Sequence, residues 1–371
     1  MLGNATEPLL TVHVDAEREF SGGEVQVFLL LEGLRARGER VLLVAPPDSG
    51  ALREARSLGI ECAAVAMRGE WDLLSAWRIA KLLKERRADL VHLHTGRANW
   101  LGGLAARLSG VPAITTRRMD REVKRNLRTR ILYGSWVRRA VAISGPVADL
   151  LRAGGVPPGK IEVIRDSIDA ATLKPARDRA GWRADLGVAD ADMVVLVLAN
   201  LVRRKGVDVL LEAISRAQLA RTRLWIAGDG EERTALEAQC AHLGLGSRVR
   251  FLGRQQDKAG LILACDVLCL PSRREGMGVA ALEALALGRP VLASAVGGLC
   301  EAVEDERSGL LVPPEDPAAL AAALKRLESD PALRARLGAG GEHSLARGYR
   351  AENMVEDYAQ LYRSVLAECR P

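Results

Sequence analysis

Aromatic side chains make up only 4% of this 371-residue chain. That scarcity argues against a protein that reads single-stranded nucleic acid on stacked rings, and no reader motif accompanies the modest basic excess of +6. No apolar run is long enough to span a bilayer, and no secretory leader precedes the first apolar segment, LLTVHV, so the chain reads as cytoplasmic. Its six cysteines are scattered. Cys265 and Cys269 lie inside LACDVLCL and suit buried positions; the spacing matches neither a zinc finger or ribbon nor a disulfide framework. No GxGxxG fingerprint is present, which weakens a dehydrogenase. Gly228-Asp229-Gly230 resembles half of one, but Glu231 and Glu232 would repel a pyrophosphate. It reads instead as a turn whose following helix N-terminus favours acids. No internal repeat is legible.

What is present is ample material for packed cores: 48% hydrophobic and 27% charged residues, in a chain long enough for two domains. Strands and helices alternate from the start. LLTVHV leads into a Gly22-Gly23 loop and an amphipathic helix ending at Gly38; RVLLVAPP, ECAAVAM, ADLVHLHT, PAITTRR, AVAIS and IEVIRDSID follow, with helices between them. Residues 172–189 form a charged stretch that reads as a linker with a short helix. The pattern then restarts with MVVLVLAN, TRLWIAGDG, VRFLG, LILACDVLCLPS and RPVLASA. Near-continuous apolar strands alternating with helices predict an α/β fold of two doubly wound, parallel-sheet, Rossmann-like domains, whose strand C-termini point ligands toward a shared cleft. The expected divisions are 1–175, 176–348 and a terminal amphipathic helix within 349–371.

The most informative stretch is PSRREGMGVAALEALALGRP, residues 271–290. Ala and Leu predict a helix over 279–287, stopped by Gly288 and Pro290. Glu275 stands on the loop before it and Glu283 within it, just over two turns on. Gly276, Met277 and Gly278 bare backbone amides at the helix start, a setting that favours anions. Two carboxylates able to hold hydroxyls beside amides able to hold phosphate suggest a sugar nucleotide. Elsewhere, Gly22-Gly23 reads equally as a plain turn or as a close approach to phosphate. His92 and His94 alternate onto one sheet face, His94 near the strand's C-terminal end and His92 in the core; no third metal ligand is evident. Residues 117–139 hold nine Lys or Arg against Asp120 and Glu122. Arg121, Lys124, Arg125 and Arg128 recur at helical spacing, predicting one basic helical face, with Trp136 placed to meet a lipid interface.

These motifs together resemble a family 4 retaining glycosyltransferase of the GT-B fold, of the lipopolysaccharide or capsule type. Carrying the resemblance are the Glu275-x7-Glu283 motif within EGMGVAALEALALGRPV, the following SAVGGLCEAVEDERSGLLVPPEDPAAL, and NLVRRKGVDVLLEA, LWIAGDGEE and VRFLG. SGGEVQVFLLLEGLRARG, DLVHLHTGRANWLGGLAARLSGVP, TTRRMD and VAISGPVADLLRAGGVPPGKIEVIRDSID extend it across the chain. The resemblance implies a nucleotide-sugar donor held by the second domain and an acceptor held by the first. Lys205 would neutralise the diphosphate, Glu283 would accept from the ribose hydroxyls, Glu275 would hold the transferred sugar, and Gly276 to Gly278 would touch sugar and diphosphate. Gly253 and Arg254 would meet the nucleobase, Gly22 and Gly23 the phosphate, and His94 the donor sugar. The family places an arginine where this chain has Asn200, so Arg203 or Arg204 would supply the second cation. Arg117, Arg118, Arg121, Lys124 and Arg128 would face a glycan or glycolipid acceptor or an anionic membrane, and the terminal helix would cross back onto the first domain.

The expected reaction moves a hexose or N-acetylhexosamine with retention, by front-face attack, without a cofactor or a metal. UDP-glucose, UDP-N-acetylglucosamine, UDP-galactose and GDP-mannose all fit these motifs. The expected setting is surface-polysaccharide or lipopolysaccharide synthesis on the cytoplasmic face of the inner membrane, with no nucleic-acid partner. Rival readings are a GT-B-fold epimerase or phosphorylase, a basic nucleic-acid binder, or a non-catalytic binding protein.

Overall fold

The structure is a computed structural model and describes residues 7–369. The chain divides into two compact units, one running to Asp166 and resuming at Ala351, the other Ser167–Arg350.

The N-terminal unit is built on seven parallel strands: β1 (Leu10–Val14), β2 (Arg40–Ala45), β3 (Cys62–Ala64), β4 (Leu90–Leu93), β5 (Ala113–Arg117), β6 (Arg139–Ala142) and β7 (Ile161–Val163). Their order is 3-2-1-4-5-6-7, so the winding reverses between β1 and β4. β1 and β4 are wholly buried, as strands covered on both faces must be. The helix Gly22–Ala36 opens on a capping box between Ser21 and Glu24. It buries Val27, Leu30, Leu31 and Leu34 in a core shared with Met354, Tyr358 and Tyr362 of the terminal helix Ala351–Cys369. Gly33 is where the two helices meet: an added Cβ would come within 2.3 Å of Val355. The partly buried Arg363–Glu39 pair, 2.5 Å apart, ties that helix down further.

The second unit carries six parallel strands: β8 (Met193–Leu198), β9 (Thr222–Ala227), β10 (Val249–Gly253), β11 (Val267–Leu270), β12 (Val291–Ser294) and β13 (Gly309–Val312). Their order is 10-9-8-11-12-13, reversing between β8 and β11. Leu210, Leu211 and Ile214 of the Val207–Ala217 helix pack with Leu320, Leu324 and Leu327 of the Pro317–Ser329 helix in its core.

Several expectations need correcting. Residues 172–189 are no linker: Arg183 is 2% exposed, pairs with Asp266 and donates to the carbonyls of Ala189 and Asp192, so the stretch is pinned onto the second unit. The unit begins earlier, at Ser167, because Ile168 bridges to Arg350. The run LILACDVLCLPS is not one strand; Asp257 caps a helix at Lys258–Ala264, and only Val267–Leu270 is extended. The basic helical face is also absent. Residues 121–126 are irregular because Val123 is buried against Gly154, and helix begins only at Leu127, capped by Asn126, before a π-helical turn Arg130–Trp136. Arg121, Lys124, Arg125 and Arg128 are nonetheless exposed. Trp136 lies half-buried against Trp100, ring centroids 4.7 Å apart, rather than at a free surface.

Candidate functional site

Ligands of open α/β sheets gather where the strand order reverses, beyond the strands' C-terminal ends. In the second unit that point lies between β8 and β11. β8 runs out at Leu198, the exposed Asn200 follows, and Arg203–Lys205 make one 3-10 turn. β11 runs out at Leu270 into the loop that carries Glu275. The structure brings these two loops together as an ion pair. Lys205 Nζ lies 2.5 Å from Glu275 Oε2, Arg204 Nη1 lies 3.7 Å from Glu275 Oε1, and the Ser272 hydroxyl donates to Oε2 at 3.2 Å. Glu275 is 8% exposed, so little water competes for its carboxylate.

Two glycines permit this approach. Gly206 closes the turn at φ +65°, and a Cβ there would sit 1.9 Å from the Pro271 carbonyl oxygen. Gly297, at φ +50°, lies under Glu275, where a Cβ would come within 1.8 Å of the Glu275 carbonyl oxygen. Arg273 braces the assembly. It holds Asp208 with two bonds of 2.7 Å, donates to the Arg203 carbonyl at 2.8 Å, and its backbone N–H donates to the Arg204 carbonyl. Sequence reasoning missed Arg273; its place in PSRREG, two residues before the acid, is the only signal it left.

Glu283 sits half-buried on the Val279–Ala286 helix, its carboxyl pushed up by burial against the opposing charge of Lys258. Gly276, Met277 and Gly278 are buried at that helix's start. Arg203 is exposed and points no charge at Glu275 in any described ion pair. Gly253 ends β10, and Arg254 lines a separate open cavity of about 580 Å³ with Lys174 and Gln255. Lys205 and Glu275 do not line that cavity.

In the N-terminal unit the reversal lies between β1 and β4, and polar side chains converge there. His94 follows β4 and is 5% exposed. The Arg118 guanidinium donates from Nη1 to His94 Nδ1 at 3.2 Å and from Nε to Asp166 at 3.3 Å. An arginine can only donate, so neutral His94 carries its proton on Nε2 and donates to His13 Nδ1, 3.0 Å away. His13 then bears its proton on Nε2 and donates to Thr11 Oγ1 at 3.1 Å. His92 is fully buried between the hydroxyls of Tyr362 and Thr116, at 2.8 and 2.7 Å. Burial first, then the Arg118 charge, lowers His13 to about 3; His92 and His94 are held well below the usual imidazole range by burial and by their charged neighbours.

His13 is the third histidine that spacing did not reveal, since it lies 79 residues from His92 and meets it only through the β1–β4 register. The ring nitrogens of all three could fall within 4.8 Å of one another, the spacing of a metal site. The hydrogen bonds count against that use: all six ring nitrogens are engaged, and a guanidinium stands against the cluster.

Asp15, directly after β1, is also new. It is 1% exposed; Oδ1 accepts the Glu17 N–H at 2.8 Å, while Oδ2 is buried without a partner, as is Arg118 Nη2. Burial dominates and pushes its carboxyl up to about 7. Gly22 and Gly23 begin the nearby helix, and a Cβ on Gly23 would lie 3.8 Å from Arg118 Cδ. Arg118 thus faces inward and is not part of the exposed basic surface. Arg117 is half-buried and donates to the Arg121 carbonyl. Cys265 and Cys269 are buried, as their apolar run predicts, the Cys265 thiol pushed up to about 12.

Residues 20–172 match the model of Glycosyltransferase Family 4, and residues 178–344 match that of Glycosyl transferases group 1. A D-inositol 3-phosphate glycosyltransferase of Saccharomonospora viridis is 35% identical over 311 residues, covering 76% of this chain and 71% of the relative. The lipopolysaccharide core biosynthesis glycosyltransferase LpsD of Rhizobium meliloti is 36% identical over 202 residues, 54% of this chain; the chain spans 57% of that relative's length. Among solved structures, Anabaena Alr3699/HepE in complex with UDP and glucose superposes with a TM-score of 0.86 at 22% identity, covering 96% of this chain and 100% of that one. Two Rossmann-like units, the paired family models and these relatives agree: the chain belongs to glycosyltransferase family 4.

Proposed function

We propose that the chain transfers a hexose or N-acetylhexosamine from a nucleoside diphosphate sugar to a glycan or glycolipid acceptor, with retention of anomeric configuration, in the synthesis of a bacterial surface polysaccharide or lipopolysaccharide. The observation that carries this reading is the Lys205–Glu275 pair at the β8–β11 switch point. A lysine ammonium offers three protons, and Glu275 engages one of them. The others, with the Arg204 guanidinium, can meet the charge that gathers on a departing diphosphate. Glu275 fixes the ammonium's position and, as a buried acceptor, can hold a hydroxyl of the transferred sugar. Glu283, on the helix that follows, can accept from the ribose hydroxyls.

In this reading no metal is needed, because fixed cations and helix N-termini meet the leaving-group charge. A UDP-sugar donor is favoured over GDP-mannose, since HepE, one neighbour of matching architecture, is described with UDP and with UDP-glucose. By analogy with the family, attack is on the front face, with the leaving phosphate oxygen taking the acceptor's proton.

Two measurements test the proposal. A thermal-shift panel of nucleotide sugars should single out a donor, stabilising the protein by about 2.7 kcal/mol at a hundredfold excess over its dissociation constant. NMR of the product's anomeric proton should report retention; an inverted product would contradict the mechanism.

A further inference from the structure

Every exposed large apolar side chain among the described residues lies between Phe20 and Val163, in the N-terminal unit. Four of them fall within seven residues: Trp71 at 82%, Leu73 at 60%, Leu74 at 56% and Trp77 at 55% exposure. The helix Leu73–Glu85 explains the grouping. Ser75, Ala76, Ile79, Ala80 and Leu83 turn into the unit, so Leu73, Leu74 and Trp77 turn out of it. Single exposed leucines are ordinary; two indoles and two leucines clustered at one helix start are not.

The surroundings of this ridge are basic. Further along the same outward face come Arg78, Lys81 and Lys84, with Lys81 Nζ 5.8 Å from the Trp77 ring centroid and 3.6 Å from the exposed Glu85, the one acid there against three cations. The two acids beside Trp71 are tied down. Asp72 caps the helix through Ser75 and accepts the Arg68 N–H. Glu70 is held by two bonds of 2.6 Å from Arg128, which also lies 5.0 Å from the Trp100 ring centroid. That ion pair fastens the ridge to the segment carrying Leu127, itself 69% exposed, and to the exposed Lys124 and Arg125.

We infer that this ridge docks the protein on an anionic membrane surface, with Trp71, Leu73, Leu74 and Trp77 entering the headgroup boundary and the flanking cations meeting lipid phosphate. Exposed indoles with an apolar body and one N–H donor suit that boundary, and an amphipathic helix lying in the plane binds through apolar burial together with attraction to negative headgroups. Attachment is peripheral, since no described helix is long and apolar enough to cross a membrane. Charge and apolarity together select the occupant: Arg78, Lys81 and Lys84 call for a negative surface, and the protruding indoles and leucines call for an apolar layer just beneath it, which a bilayer rich in anionic lipid supplies. The inference stands apart from the proposed transfer reaction, because none of these side chains belongs to the sites at the switch points.

Sedimentation of the full chain with phospholipid vesicles tests it. Binding is expected to vesicles containing about 30% phosphatidylglycerol, to weaken with salt, and to be far poorer on pure phosphatidylcholine. A Trp71→Ser, Leu74→Ser, Trp77→Ser variant should lose most of the binding and the blue shift of tryptophan emission that accompanies it. Because these positions are exposed, its melting temperature and its rate of nucleotide release from the donor should not change. Each cation near an anionic surface raises partitioning about fivefold, so Arg78→Gln, Lys81→Gln, Lys84→Gln should lower it by roughly a hundredfold. Wild-type protein that stays in the supernatant, or a serine variant that pellets like wild type, overturns the inference. So does wild type that ignores vesicles but dimerises through the same residues, since the ridge would then belong to a second copy of the chain.

Discussion

Replacing Lys205 by methionine removes the ammonium and keeps most of the stem's bulk. Glu275 then keeps only the Ser272 hydroxyl and Arg204 at 3.7 Å, in a site where its own side chain is 10% exposed and that of Lys205 was 14%. Breaking a well-buried pair from one side costs about 3–5 kcal/mol. The remaining guanidinium and hydroxyl offset part of that, so a loss of about 2–3 kcal/mol is expected, a drop of very roughly 4–12 °C in the melting temperature of a unit this size. The same substitution removes a cation aimed at the developing diphosphate charge, which should lower kcat by about 10²–10³ with a much smaller effect on KM. The double variant Lys205→Met, Glu275→Met separates the two effects. With both charges gone and apolar bulk in their place, stability should return close to wild type. Turnover should not return. Thermal melts with initial rates of nucleotide release, using the donor that gives the largest thermal shift, measure both quantities. A double variant that regains wild-type turnover along with its stability would mean the pair only holds the fold, and the catalytic reasoning fails.

Three further outcomes can be checked on the isolated protein. Asp15 has a folded-state carboxyl pKa raised to about 7 from an ordinary 3.8, so the native state binds the extra proton; stability therefore declines as pH rises from about 4 to about 7 and levels off above. Asp15→Asn should erase that decline, its melting temperature gaining on wild type at pH 8 more than at pH 4.5; parallel pH profiles would dismiss the assignment. NMR of the imidazole nitrogens should find His13 and His94 as neutral Nε2–H tautomers at pH 5.5, because Arg118 and burial exclude the charged form; imidazolium signals there would break the directed chain of hydrogen bonds. Gly297→Ala forces a Cβ into the Glu275 carbonyl at positive φ and should cost roughly 2–4 kcal/mol together with most of the activity, whereas Gly59→Ala, also at positive φ but with nothing within 4 Å, should cost about 1 kcal/mol in melts and leave rates intact.

Much of this was legible because periodicity and glycine placement are local signals. Continuous apolar runs gave the buried parallel strands, and the Ala/Leu-rich stretch gave the helix Val279–Ala286 to within a residue. That Lys205 and Glu275 serve one donor site is implied only by resemblance, and nothing in the sequence anticipates their ion pair: 70 residues separate them, and the switch point between β8 and β11 brings them together. Where local reading failed, a long-range contact had overridden it. The basic repeat at helical spacing over 121–128 does not form one helix, because Val123 is anchored under Gly154 and 121–126 are irregular. Arg183 reads as a linker charge but is drawn to Asp266. Trp71 and Trp77 draw no reading from the sequence; the inward turn of Ile79 and Leu83 is what leaves them outside.

Asp15, His13 and His94 show the same override at the N-terminal unit's switch point, and it changes what His94 can do. A histidine at a strand's end suggests a side chain free to touch a sugar. Here both of its ring nitrogens are committed, one to Arg118 and one to His13, so contact with a donor would require Arg118 to swing away. The groups with spare capacity are instead Arg118 Nη2, a donor, and Asp15 Oδ2, which donates when the carboxyl is protonated and accepts when it is not. A sugar hydroxyl both accepts and donates, so it has the chemistry to partner either group. If His94 acts by holding Arg118, then His94→Gln, whose side-chain oxygen can still accept from the guanidinium, should retain much more activity than His94→Phe, while Arg118→Met should match the phenylalanine variant. A direct sugar contact through an imidazole nitrogen predicts instead that glutamine and phenylalanine are equally damaging and that Arg118→Met is the milder change. Steady-state rates for the three variants decide between a positioning residue and a contacting one.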